Sequence, residues 1–203
     1  MNHCENLEEL GFTVDGAHGE LVRVNARYCW SLSSLRDRLG EENAFRLGAL
    51  VEPYSVSFRA LFQGAHRGAW LPGQRLLVLG AGPIGLAACD LAIAAGARDV
   101  ACLEIDPQRH ELARRLGASP VLDPSRISEL TGQYDWIVDA AGATRLALDL
   151  AREKLAIGGT VCLLARTSET APLAPESLIV KNARIVGSQG HSGEGTFGRV
   201  IDL

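Results

Sequence analysis

The sequence predicts an α/β fold, a doubly wound sheet of six parallel strands with helices on both faces. Three observations carry that expectation. From about residue 74 onward, short apolar runs alternate with helical patterns at close intervals, as in a parallel sheet whose crossovers are helices. The runs are apolar nearly throughout, as strands buried on both faces must be. The first run, Arg75–Leu79, leads directly into Gly80-Ala81-Gly82-Pro83-Ile84-Gly85, a turn that carries the chain from strand to helix.

Each element can be justified in order. Pro72-Gly73 turns the chain into the first strand, and residues 86–95 follow as helix formers ending at Gly96. Residues 100–103 form a second buried strand closed by Glu104. Asp106 and Pro107 open a helix, because an aspartate caps free N–H groups and proline needs no donor at the first position; it runs through Leu116 and ends at Gly117. Residues 120–122 are a short third strand, 125–130 a short helix and Tyr134–Asp139 the fourth strand. Helical spacing over 143–155 is followed by a Gly158-Gly159 turn, a fifth strand at 160–164 and a sixth at 183–187. With the glycine turn on the first strand and right-handed crossovers, the expected order is 3-2-1-4-5-6, the Rossmann arrangement.

The glycines do separable jobs. Gly80 allows the tight turn out of the strand, Gly82 lets backbone approach a pyrophosphate, and Gly85 lets the helix lie close to the strand. Free N–H groups at that helix start then face phosphates. Glu104 lies about 20 residues past the last glycine, where a carboxylate accepts hydrogen bonds from an adenosine ribose. A carboxylate there favours NAD over NADP, since a 2′-phosphate would meet like charge. The crevice should lie where the strand order reverses, lined by Ala140, Ala141 and Gly142 after the fourth strand and by Leu164, Ala165 and Arg166 after the fifth.

The first 70 residues read differently. Residues 17–24 alternate like a strand, and 41–63 are mostly helical around a break at Pro53, with no independent core in view. Residues 63–73, rich in glycine, are the only linker-like stretch, and 197–203 look like a helix that stops in mid-pattern.

Composition excludes several classes. A formal charge of −4 with scattered Lys and Arg gives no basic footprint for nucleic acid. No apolar run approaches the roughly 18 residues of a membrane helix, and the first residues lack a secretory leader pattern, so no membrane partner and a cytoplasmic location are expected. Five cysteines without a C-x-x-C pair fit a reducing compartment, with Cys89, Cys102 and Cys162 read as small buried hydrophobes. His3, His18, His66, His110 and His191 show no i, i+4 pairing, and none is assigned catalysis. Trp30, Trp70 and Trp136 read as packing.

The glycine motif with Pro83-Ile84, Leu116-Gly117-Ala118 at the end of the second helix, Leu50-Val51-Glu52-Pro53, and the opening Cys4-Glu5-Asn6 with residues 15–20 together resemble the zinc-dependent medium-chain alcohol and polyol dehydrogenases. The resemblance covers essentially all of this chain, but the chain covers only about the middle of that family. It implies residues 1–52 as part of a GroES-like catalytic domain, incomplete and β-rich, 53–192 as the NAD-binding domain and 193–203 as the start of a truncated C-terminal helix. NAD contacts are implied for Ile84, Glu104 and Arg109, with Arg109 beside the ribose, and a nicotinamide side for Leu164, Ala165, Arg166, Ser188, Gln189 and Gly190.

For metal, the resemblance places Glu52 at a catalytic-zinc position, in the manner of the polyol branch, and Cys4 at the fourth cysteine of a structural zinc lobe. The family's catalytic Cys, its His-Glu pair and the other three cysteines would lie before residue 1, so zinc belongs to the intact enzyme and retention here is not expected. By residue type alone Glu52 is an ordinary helix carboxylate, since a zinc site needs three or four ligands. The implied substrate is a small-molecule secondary alcohol of polyol, sugar-alcohol or aminocyclitol type. A cofactor-binding module without turnover, as a fragment or a stand-alone unit, is the alternative. Family members commonly pair sheet edges across a dimer, which implies a homo-oligomer through the sixth strand.

Overall fold

The computed structural model describes residues 5–63, 70–191 and 195–203. Its contacts divide the chain into two units, one of Met1–Ser55 with Gly190–Leu203 and one of Val56–Gln189.

The larger unit is built on a six-stranded sheet of order β3-β2-β1-β4-β5-β6. At its centre β1 (Arg75–Leu79) pairs with β2 (Asp99–Leu103) on one side and β4 (Tyr134–Asp139) on the other; β3 (Val121–Leu122) lies beyond β2, and β5 (Leu155–Leu163) and β6 (Arg184–Gly187) beyond β4. Every pairing is parallel. Leu76, Leu77 and Val78 are each 0% exposed, which is why this stretch is apolar without alternation. Each such side chain contributes about 2 kcal/mol by burial.

Between the strands run α4 (Pro83–Ala94), α5 (Pro107–Arg115), α6 (Thr144–Lys154) and α7 (Pro175–Lys181). The helix α4 packs on β1, β2 and α5, and α6 on β4, β5 and α7. Right-handed crossovers leaving the centre in opposite directions put the two helix pairs on opposite faces. Small residues on α4, among them Gly85, Ala87, Ala88 and Ala92, are buried and permit close packing. Cys89, Cys102 and Cys162 are buried too, and the Cys89 thiol is pushed well up by its hydrogen bond with Cys102 and by burial. Asp106 caps α5 by accepting from Gln108 N at 2.9 Å.

Five local expectations need correction. Gly158-Gly159 does not precede the fifth strand but interrupts it: Tyr134 pairs with Leu155 and Trp136 with Thr160, so β5 loops out extra residues around Gly158 at φ +78°. The helix expected over 125–130 is a 3-10 turn, Pro124–Glu129. Residues 175–181, not expected to be helical, form α7, whose end is stopped by Asn182 in the left-handed region and whose Lys181 Nζ donates to Ala151 O and Leu155 O.

The other two lie in the smaller unit. Residues 17–24 form no strand, because a strand exists only through a hydrogen-bonded neighbour and none is present among the described residues; Leu21 is 95% exposed. Helices α1 (Ser33–Leu39) and α2 (Glu41–Gly48) and the start of α3 (Val51–Phe62) follow, and α8 (Thr196–Asp202) belongs to the same unit. The break falls at residues 49–50, not at Pro53, which sits in the first turn of α3 where no N–H is required. Leu35, Ala44 and Ile201 form a small core, and Trp30 meets Phe197 edge-on at 4.4 Å.

Candidate functional site

The turn after β1 has the geometry that its glycines predict. Gly80 has φ +94°, and a Cβ there would stand 3.0 Å from the Ala141 Cβ, so both conformation and space require glycine. At Gly85 a Cβ would come within 1.9 Å of the Gly80 carbonyl oxygen, so helix and turn touch backbone to backbone. Gly82 is different: its φ of −73° suits any residue, and a Cβ would meet nothing within 4 Å. The space over this glycine is open, so a pyrophosphate could lie there. Gly82 is also the N-cap of α4, with no side-chain cap, and Pro83 takes the first helical position, so the helix start presents uncapped N–H groups. Ile84 is held by Ser57 of α3, whose hydroxyl donates to Ile84 O at 2.7 Å.

Glu104 closes β2 with its side chain only 4% exposed. One carboxylate oxygen accepts from Ala81 N at 2.5 Å and the other from Asp106 N at 2.8 Å. The glycine turn and the acidic residue are therefore one hydrogen-bonded construction, which residue spacing alone did not reveal. An ionised carboxylate offers about four acceptor positions, so acceptor capacity remains for hydroxyls. Arg109 Nη1 stands 3.8 Å from Glu104 and its Nε 3.5 Å from Asp106. His110 Nε2 lies 2.7 Å from the Glu104 carbonyl oxygen. Ile105, 75% exposed beside the carboxylate, offers an apolar surface that the sequence reading missed; an isoleucine directly after the acidic residue was the available signal.

Asp139, which ends β4, is the second residue missed. It is 0% exposed, and its Oδ1 accepts from Ala141 N at 3.1 Å and Ala143 N at 3.0 Å, while Oδ2 accepts from the Thr144 hydroxyl at 2.9 Å. Its carbonyl oxygen accepts from Leu164 N and Ala165 N. Ala140, Ala141 and Gly142 thus lie against the glycine turn on one side and against Ala165 and Arg166 on the other, since a Cβ on Gly142 would stand 3.5 Å from Arg166 O. Ser188 follows β6, buried, with its N–H on Leu163 O and its hydroxyl without a partner among the described residues. Arg59 of α3 donates to Gln189 O at 2.6 Å, and Gly190 begins the other unit's second segment.

Of the two metal candidates, only Glu52 lies among the described residues. Glu52 stands in the first turn of α3 and belongs to the smaller unit, where burial raises its carboxyl above the ordinary glutamate range. Cys4 lies outside the described residues. Among the described residues no three His, Cys, Asp or Glu side chains stand close enough to hold a metal ion, so these residues do not by themselves fit zinc. No helix among them is long and apolar enough to cross a membrane.

Residues 83–203, over half of the chain, match the family profile described as zinc-binding dehydrogenase. The chain belongs to the zinc-binding dehydrogenase family. This family member is 42% identical to scyllo-inosose 3-dehydrogenase of Thermotoga maritima over 100% of its own length and 54% of the relative's. It superposes on the solved structure of a candidate alcohol dehydrogenase from Thermotoga maritima with a TM-score of 0.89 at 40% identity, covering 100% of this chain and 54% of that one. An Escherichia coli alcohol dehydrogenase complexed with NADH shares the fold, with a TM-score of 0.82 at 22% identity over 99% of this chain and 58% of that one. The chain spans about half the length of the curated relatives it matches.

Proposed function

We propose that this chain is the NAD-binding portion of a zinc-dependent dehydrogenase that oxidises a secondary alcohol of polyol, sugar-alcohol or aminocyclitol type by hydride transfer to NAD. One observation carries the cofactor reading: the buried Glu104 carboxylate is hydrogen-bonded into the glycine turn at Ala81, beside the open space over Gly82. In this reading Gly82 and the uncapped start of α4 receive the pyrophosphate, and Glu104 accepts from the adenosine ribose. Ile105 and Arg109 flank that ribose. Ala140, Ala141 and Gly142, then Leu164, Ala165 and Arg166, then Ser188, Gln189 and Gly190, line the path toward the nicotinamide. When bound, NAD supplies the hydride acceptor; the protein supplies position and charge.

Arg109 pulls the selectivity the other way, because an arginine accommodates a 2′-phosphate. Glu104 prevails in this reading. Its carboxylate is buried and hydrogen-bonded to the turn itself, whereas the Arg109 side chain is 53% exposed and screened by water. The relative named for scyllo-inosose supports the polyol class. The alternative reading is that these residues bind the cofactor without turnover. The outer strand β6 is the edge through which copies would pair.

Titration calorimetry tests the reading. NAD should bind more tightly than NADP by more than about 1.4 kcal/mol, a tenfold ratio, and Glu104→Gln should narrow that ratio. Equal affinities in the unmodified chain would remove Glu104 from its role.

A further inference from the structure

Asp139 is a buried carboxylate in a place where the sheet asks for an apolar side chain. Its register partners are Leu79 on β1 and Leu163 on β5. It has no ion-pair partner among the described residues, and a buried charge is expensive unless donors surround it. Three donors do so here: Ala141 N, Ala143 N and the Thr144 hydroxyl. All three belong to the turn out of β4 and the start of α6, whose N-cap, Ala143, has no side-chain cap of its own. The same residue's carbonyl oxygen takes Leu164 N at 3.0 Å and Ala165 N at 3.1 Å, so one residue fastens the ends of two neighbouring strands. Ala141 stands near Gly80, where an added Cβ would come within 3.0 Å of the Ala141 Cβ.

We propose that Asp139 is a positioning residue for the dinucleotide, setting the loops after β4 and β5 on the far side of the switch point from the adenosine half. The proposal rests on the NAD reading above. In a doubly wound sheet the adenosine half lies over β1, β2 and β3 and the nicotinamide half over β4, β5 and β6. A residue that shapes only the second group should therefore separate the affinity for NAD from that for ADP.

The test is calorimetry with NAD and with ADP on the unmodified chain, Asp139→Ala and Asp139→Asn, at a temperature where circular dichroism shows each to be folded. Asp139→Ala should weaken NAD at least about tenfold and ADP less than about threefold, with the Ala141 and Ala143 amides exchanging faster. Asp139→Asn keeps an oxygen for both N–H groups and should restore NAD to within about threefold. If Asp139→Ala does not fold, Thr144→Val decides: it should weaken NAD measurably and leave ADP unchanged. Equal losses for both ligands, or unchanged NAD affinity, would overturn the positioning role while leaving the NAD reading intact. An unmodified chain that binds neither ligand would overturn both.

Discussion

Gly82 and Gly85 stand three residues apart in one motif, yet the structure gives them opposite sensitivities. A Cβ on Gly85 would strike the Gly80 carbonyl oxygen at 1.9 Å, a backbone atom that cannot move aside, so Gly85→Ala should destabilise the fold by about 3 kcal/mol. A Cβ on Gly82 meets nothing and its φ is ordinary, so Gly82→Ala should lower stability by no more than about 1 kcal/mol, the loss of a tolerable N-cap. If the space over Gly82 belongs to the pyrophosphate, the same variant loses NAD. Thermal denaturation and NAD titration of both variants check the pair; a Gly85→Ala chain as stable as the parent would refute the packing argument. At this scale the motif was legible because glycine spacing encodes backbone shape directly. What was not legible were bonds across the fold, such as Glu104 to Ala81 N over 23 positions, and the role of Asp139, which in sequence is only the last residue of a strand.

Elements were legible where apolar period and caps agreed. Asp106 with Pro107, and Tyr134–Asp139 as a bounded apolar run, were placed to within a residue or two. The helix α7 escaped because Ile179 and Val180 are exposed, 76% and 67%, so its apolar residues mark no buried face. Residues 17–24 misled for the converse reason: alternation without a pairing neighbour makes no strand. The Pro124–Glu129 turn also carries a prediction. Asp123 accepts from both the N–H and the hydroxyl of Ser125, and these bonds hold its carboxyl below the ordinary aspartate range. A group depressed in the folded state adds stability above its ordinary range and loses it as pH falls through the depressed value. An NMR titration should show the Asp123 midpoint below the ordinary aspartate value of about 3.9 and moving upward in Ser125→Ala; an unmoved midpoint would refute Ser125 as the cause.

For the whole molecule, strand order followed from two things readable in sequence, the alternation of strand and helix and a motif on the first strand, together with the general right-handedness of crossovers. The smaller unit was not readable in that way. Its core joins residues near both ends of the chain, with Arg38 donating to Ile201 O and Trp30 against Phe197, and neither segment carries a motif that names its partner. The family membership and the fold now stand on independent observations, while the proposed cofactor site rests on geometry: turn, carboxylate and two loops lie where the strand order reverses. Amide chemical-shift mapping of the isotope-labelled chain with added NAD tests that convergence most directly. The largest shifts should fall on Ala81, Gly82, Ile84 and Gly85, on Glu104 and Asp106, and on Ala141 and Gly142. Shifts confined instead to the groove between α6 and α7, around Asp149 and Glu176, would contradict it.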